Sequence, residues 1–420
     1  MKKFFLIPFA AICLFSATHL FAQTGGWVAQ SAGAYATCSS VSFANANTGY
    51  VVGNGTVLRT NDGGATWTSC FKTSQWLNGV SCGDPTHVTY VGFGGTIKHT
   101  TDGGNTWVGQ TGNVSVHILE AVCFTDTNTG TIVTDHAEIL RTTDGGATWI
   151  KQVSGLGSNT GLTGVSFTDA NNGTIVSLTD TILHTTNGGI TWILQMPKKY
   201  YSGFTGVSFT DAQTGSIVGG DVSSNEGVIY RTLDGGGTWT LQYSDSGVAF
   251  TGVSFTDANY GTVIGTKGDS GVILRTSNGG ATWVRQFTGY NMMFTSVSFT
   301  DAYNGTVVGG NTILHTTNGG WTTGVKENSS IMPSDLILRQ NYPNPFTGMT
   351  NIEYRIPNDE LVTIKVYNAL GEEIATLVNG KQAAGQHSVL FGANDLQNGI
   401  YFYRLSAGRD VQSGRMTVVK

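Results

Sequence analysis

The sequence predicts an all-β protein, a seven-bladed β-propeller followed by a small Ig-like β-sandwich. Three observations carry that prediction. An Asp/Asn-Gly-Gly turn, most often continued as x-Thr-Trp, recurs with its acid or amide at Asp62, Asp102, Asp144, Asn187, Asp234, Asn278 and Asn318, at intervals of 40, 42, 43, 47, 44 and 40 residues. Each interval holds four short apolar runs rich in β-branched residues, which is the period and strand count of a propeller blade. Beyond the last turn the repeat stops, and runs at 351–356, 362–367, 373–378, 387–391 and 401–405 follow at sandwich spacing between Gly, Asn and Pro.

The chain opens on Met1-Lys2-Lys3, an apolar run over 4–17 and a small residue at Ala22. These are the charged, apolar and cleavable parts of a secretory signal, assigned to residues 1–22. Ile12 before Cys13 argues against lipid attachment, and no later stretch reaches the roughly 20 apolar residues of a membrane-spanning helix. No transmembrane segment is expected in the mature chain. Four cysteines remain after the signal: Cys38, Cys70, Cys82 and Cys123. Export to an oxidising compartment favours two disulfides with three possible pairings; the place of Cys82 and Cys123 inside repeated strand motifs favours small buried apolar residues instead. Both readings stay open here.

The propeller is expected over residues 23–325. A fourth strand beginning with Trp occurs at Trp27, Trp67, Trp107, Trp149, Trp192, Trp239 and Trp283, so strands and turns are equal in number but offset by one. The strand at Trp27 is therefore expected to complete the seventh blade and close the ring, removing the exposed edges of an open array. In the turns, Gly tolerates positive φ, Asp or Asn accepts backbone N–H bonds, and Trp supplies apolar area between blades. The turn residues are expected to be structural. With Thr60-Asn61-Asp62-Gly63-Gly64-Ala65-Thr66-Trp67 as its cleanest copy, the motif resembles the Asp-box, or neuraminidase-type, repeat. The whole unit, with Phe167-Thr168-Asp169 and Asn172-Gly173 ahead of the box, resembles the propeller family of photosystem II assembly factors. That resemblance covers 24 to about 323 and speaks to fold more than to function.

A polar linker is expected over 326–338, and a separate module over 339–420. There Gln340-Asn341-Tyr342-Pro343-Asn344-Pro345-Phe346, Val366-Tyr367-Asn368 with Gly371, Gly399-Ile400-Tyr401 and the terminal Met416-Thr417-Val418-Val419-Lys420 resemble the type A sorting domain of type IX secretion. Thr347 stands where that family usually has Asn. The resemblance implies delivery across the outer membrane by the type IX machinery, with the propeller as cargo, secreted or held at the cell surface.

A net charge of −5 over 420 residues excludes a duplex nucleic-acid binder, which needs a basic footprint. No nucleotide fingerprint, phosphate loop or Cys/His metal spacing is present, so neither cofactor nor metal is expected. The repeat motifs fall at one end of the blades and sequence variation collects at the other, where recognition is expected. Trp76, Tyr200, Tyr201 and Tyr290, with Lys198 and Lys199, are the candidate contacts to an unidentified glycan or protein. A second pattern lies three residues before each turn acid: Arg59, His99, Arg141, His184, Arg231, Arg275 and His315. It reads as cations resting on aromatics of the repeat rather than as a surface for an acidic partner. The expected product is a monomeric, non-catalytic binding or adhesion module. The alternative is a glycoside hydrolase, for which the off-template acids Glu120, Asp135, Asp221 and Glu226 are the available carboxyls. The sialidase-like string Tyr354-Arg355-Ile356-Pro357 falls in the sorting module and is read as coincidental.

Overall fold

The computed structural model describes residues 26–30, 37–112, 117–195, 203–221, 226–321, 336–338, 341, 344–356, 358–368, 371–383, 385–393, 396–408 and 410–419. The expected signal segment, 1–22, lies outside them. The chain divides into two compact units at 323/324.

Blade 3 shows how a unit forms. Leu119–Phe124, Gly130–Thr134, Ile139–Thr142 and Ile150–Gln152 pair antiparallel in that order. The second and third strands are buried on every residue, because neighbouring blades cover both of their faces. The fourth is mostly exposed at the periphery. Among the described residues the first unit contains seven such antiparallel sheets. Blade 1 comprises Cys38–Phe43, Gly49–Thr60 and the start of Thr68–Cys82; Gly49–Thr60 turns at Asn54-Gly55, with Gly55 at φ +70°, so that its halves pair with different partners. Thr68–Cys82 runs on into blade 2, with Val88–Gly92, Thr96–Thr100 and Val108–Gln110. Blade 7 comprises Ser296–Phe299, Gly305–Gly309 and Thr312–Gly320. Its fourth strand is Gly26–Gln30, with Val28 opposite His315 and Gln30 opposite Ile313.

One packing unit recurs at the blade interfaces. In blade 3, Phe124 lies opposite Gly130, and a Cβ on that glycine would come within 2.5 Å of the ring. Trp149 meets Phe124 edge-on at 6.0 Å, and His99 of blade 2 rests against the other side at 6.2 Å. The same Phe–Gly pair occurs at 43/49, 167/173, 209/215, 255/261 and 299/305. Arg141, Arg231 and Arg275 lie 4.5, 4.9 and 4.4 Å from the centroids of Phe167, Phe255 and Phe299. The cation series is thus an inter-blade device; His99, Arg141, His184, Arg231 and Arg275 are buried and offer no surface to an acidic partner.

Blade 2 departs from this pattern at matched positions. Cys82 replaces Phe and Val88 replaces its opposing Gly. Tyr50 brings a ring to the vacated space, with Arg59 at 5.8 Å from its centroid. Volume removed from one strand is returned from another, as close packing requires.

Hydrogen bonds tie the innermost strands into the ring. The backbone N–H groups of Phe43, Cys82, Phe124, Phe209, Phe255 and Phe299 donate to Ser298, Ser42, Ser81, Ser166, Ser208 and Ser254 of the preceding blade, at 2.9–3.2 Å. Cys123 holds the equivalent serine position; burial pushes its thiol pKa up, offset in part by the hydrogen bond from the Phe167 backbone. Cys70, Cys82 and Cys123 are free thiols, so the two-disulfide alternative does not hold. Burial keeps the Cys82 thiol at about 12.

In the second unit, Ile337–Leu338, Met349–Ile356 and Gly385–Gly392 form one sheet, and Glu373–Gln382, Glu360–Tyr367, Gly399–Ala407 and Asp410–Val418 the other. Ile352 and Phe391 from the first pack with Val366, Tyr403 and Met416 from the second, giving a β-sandwich core.

Candidate functional site

The inner strands bring one register position from each blade to the central channel: Ser39, Asn78, Glu120, Thr163, Thr205, Thr251 and Thr295. The threonines do not point their hydroxyls at a ligand. Thr163, Thr205, Thr251 and Thr295 donate sideways to the carbonyls of Phe204, Phe250, Phe294 and Cys38 in the next blade, at 2.7–3.3 Å. Asn78 does the same to Leu119 O at 3.2 Å. The channel encloses about 180 Å³ between small side chains. That is below the roughly 300–1,000 Å³ of small-molecule sites, so a ligand would engage the mouth rather than fill the channel.

Glu120 breaks the channel's pattern. It stands where four blades carry Thr, and it is the one charged residue among the described lining residues. Burial raises its carboxyl pKa, and the charge of Asp135 raises it further. Asp135 lies in the hairpin between the second and third strands of blade 3, beside His136 and close to His117 on the segment entering that blade.

The rim on this side carries exposed aromatic and apolar residues. Trp76 is 48% exposed on Thr68–Cys82, opposite Asn54, and Tyr290 is 78% exposed at the end of Val284–Tyr290, opposite Ser270. Met293 and Phe93 are also exposed. Trp76 and Tyr290 stand on separate blades, one at the passage from blade 1 to 2 and the other from blade 6 to 7. Lys198, Lys199, Tyr200 and Tyr201 lie outside the described residues. Of the other off-template acids, Glu226 begins the third strand of blade 5 opposite Ser246 and pairs in register with Asp221.

At the opposite end the turn acids are occupied. Asp62 Oδ1 accepts from Thr66 N–H at 2.9 Å, Oδ2 accepts from the Thr66 hydroxyl at 2.6 Å, and the Thr60 hydroxyl donates to Oδ1 at 2.8 Å. Asp102, Asp144 and Asp234 repeat the arrangement; Asn187 and Asn278 keep it with an amide in place of the second oxygen. Asn318 bonds instead to Trp321 O. The hydroxyl of the following Thr, then its N–H, holds the carboxyls of Asp62, Asp102 and Asp144 down at about 2.

In the second unit, Asn341 N–H donates to the Tyr403 hydroxyl at 3.0 Å, and its amide donates to Thr350 at 2.9 Å. Asn344 precedes a cis peptide bond to Pro345, accepts from Thr417 N–H at 2.8 Å and donates to Arg415 O at 3.3 Å. Phe346 exchanges backbone bonds with Thr417 and Val419 and is buried. The motif thus clasps the last strand; Tyr342, Pro343 and Lys420 lie outside the described residues. Tyr354, from the sialidase-like string, is buried in this unit with its hydroxyl on Gln382.

His117 and His136 have no counterpart in the sequence reading, although one signal marks them. Blade 4 has a hairpin of the same length and carries Thr160, Leu178 and Thr179 where blade 3 carries His117, Asp135 and His136.

Comparison with known proteins adds two families. Residues 110–251 match the model described as photosynthesis system II assembly factor YCF48, and residues 340–420 match the secretion system C-terminal sorting domain. No curated protein matches. Among solved structures, YCF48 bound to D1 peptide is 19% identical over 72% of this chain and 99% of that chain, with a TM-score of 0.57. YCF48 from Cyanidioschyzon merolae is 18% identical over 70% and 98%, with a TM-score of 0.56. The RRP9 WD40 repeats reach a TM-score of 0.58 at 5% identity, over 70% and 99%. At these identities the likeness is one of fold. The sorting domain marks the chain for export by type IX secretion to the cell surface or beyond. No helix among the described residues is long and apolar enough to cross a membrane.

Proposed function

We propose that this chain, a YCF48-like propeller joined to a type IX sorting domain, is an exported non-catalytic binding protein. Its ligand is a polypeptide segment docked across the channel mouth. The observation that carries this reading is the exposure of two aromatics, Trp76 and Tyr290, at the loop-bearing end of a propeller whose channel encloses only about 180 Å³. Exposed Trp and Tyr are the side chains that dominate contact energy when a partner covers them. A structure of the same fold is described as bound to a peptide, which supports the class of ligand without supplying its sequence.

Panning the purified full chain against a linear-peptide display library tests the proposal. Enriched peptides should bind the W76A/Y290A variant at least tenfold more weakly; equal affinity, or no enrichment, overturns it. A glycan array run alongside distinguishes a sugar ligand.

One observation favours a second reading. The half-buried Glu120, its carboxyl pKa raised by burial and by the charge of Asp135, has the raised pKa of a general acid in glycoside hydrolysis. Turnover of sialosides or plant oligosaccharides by the full chain, abolished in E120Q, would establish it; no turnover on a broad panel removes it.

A further inference from the structure

We propose that His117, Asp135 and His136 form a binding site for a divalent first-row transition metal ion, with Zn²⁺ as the reference ion, at the channel mouth of blade 3. This does not rest on the polypeptide-binding reading.

The three side chains converge on one spot of the surface. One ligand atom from each of the three residues lies within 4.8 Å of the others. The imidazoles of His117 and His136 stack with centroids 4.2 Å apart and planes 24° apart, so one ring must turn for both nitrogens to aim at a single ion. Asp135 Oδ1 lies 2.8 Å from His136 Nδ1. A tetrahedral Zn²⁺ bound at about 2.0–2.2 Å to nitrogen and carboxylate oxygen places its donors about 3.3 Å apart. The half-exposed His136 ring has room to turn and close the remaining gap.

The backbone beneath these side chains is fixed. His117 O accepts from Gly95 N–H of blade 2 at 2.9 Å, and Asp135 N–H donates to Ile118 O at 3.1 Å. Ile118 N–H donates to Asp135 Oδ1 at 3.2 Å, which orients the carboxylate. In the hairpin, Thr134 Oγ1 accepts from the N–H groups of His136 and Glu138. Oriented, hydrogen-bonded donors are what tune metal ligands.

The propeller supplies its own control. In blade 4 Leu178 N–H donates to Gly161 O at 3.0 Å, and Ser177 Oγ accepts from Thr179 and Thr181 N–H. That is the same backbone scaffold, built over Thr160, Leu178 and Thr179. The fold therefore requires none of the three side chains that blade 3 concentrates here. Two imidazole nitrogens and one carboxylate oxygen form a borderline donor set that suits Zn²⁺, Cu²⁺ or Ni²⁺ over Mg²⁺ or Ca²⁺. Three protein ligands leave a fourth position open towards the solvent at the mouth.

The test uses the full chain without an affinity tag. Calorimetric titration with Zn²⁺ should show one saturable site per chain, and Co²⁺ should give the visible absorption of a tetrahedral N/O complex. H117A and H136A should each weaken Zn²⁺ binding at least tenfold. The triple exchange H117T/D135L/H136T, which installs the blade 4 side chains on a backbone known to carry them, should abolish it while thermal unfolding without metal stays cooperative. H87A, which removes another histidine paired with a carboxylate, should leave binding unchanged. No saturable Zn²⁺ site in the native chain, or a site that survives the triple exchange, overturns the proposal.

Discussion

Trp27 donates its indole N–H to Gln286 Oε1 at 3.2 Å across 259 residues of sequence. Gln286 in turn donates to Gly319 O at 2.9 Å. The same latch joins Trp149 to Gln110 and Trp192 to Gln152 between blades that are consecutive in the chain. A closure made by the N-terminal strand thus repeats the chemistry of the interfaces between blades 2 and 3 and between blades 3 and 4.

Trp27 is almost fully buried against Phe299, so W27A removes a large apolar side chain and the latch together. The expected cost is about 3–5 kcal/mol, the range for emptying a buried aromatic site. Urea unfolding followed by tryptophan fluorescence measures it. A loss below about 1 kcal/mol would mean that the ring does not depend on this strand.

The substitution at the interface of blades 1 and 2 gives a test of packing. C82F restores the residue of the other blades but meets Val88 opposite and Tyr50 in the ring space. It should destabilise by about 1–3 kcal/mol through overpacking. The triple change C82F/V88G/Y50T, which restores the whole repeat unit, should recover most of that loss. Additive effects of the three changes would show that the positions are not coupled.

The fold class was legible because the turn motif does one local job: a Thr–Asp–Thr hydrogen-bond knot needs the same residues wherever it is tied. Pairwise compensation was not legible, since Cys82, Val88 and Tyr50 lie on three strands and acquire meaning only when Phe–Gly pairing is seen elsewhere. The rim was partly legible. Trp76 and Tyr290 are exposed there, whereas the Asp135 corner depends on His117 arriving from a separate segment. Glu120 and Asp135 stood out as departures from the repeat, but nothing in the spacing indicated that one would raise the pKa of the other.

The turn acids predict an acid transition with a defined sign. Carboxyls held at about 2 in the folded protein, against 3.8 when free, contribute stability that is complete above about pH 4 and is lost as the pH falls towards 2. The knot accepts an amide in blades 4 and 6, so D62N/D102N/D144N should fold and its melting temperature should fall less steeply across that window. Parallel curves for the variant and the native chain would assign the acid sensitivity to other groups.

Glu120 carries the opposite sign. Its folded pKa is raised by burial and by Asp135, so ionising it opposes folding, and stability declines as the pH rises through the shifted value. E120T installs the residue found at this register in blades 4 to 7, whose hydroxyl donates to the next blade's carbonyl. The variant should melt at a higher temperature than the native chain at pH 7, with the difference vanishing below about pH 4. A residue that weakens the scaffold where Thr would strengthen it is the signature expected of a functional position. E120T should therefore gain stability while losing affinity for the rim ligand, or activity if the hydrolytic reading holds. Unchanged or lower stability at pH 7 would show that Glu120 is as well accommodated as the threonines, and its claim to function would lose that support.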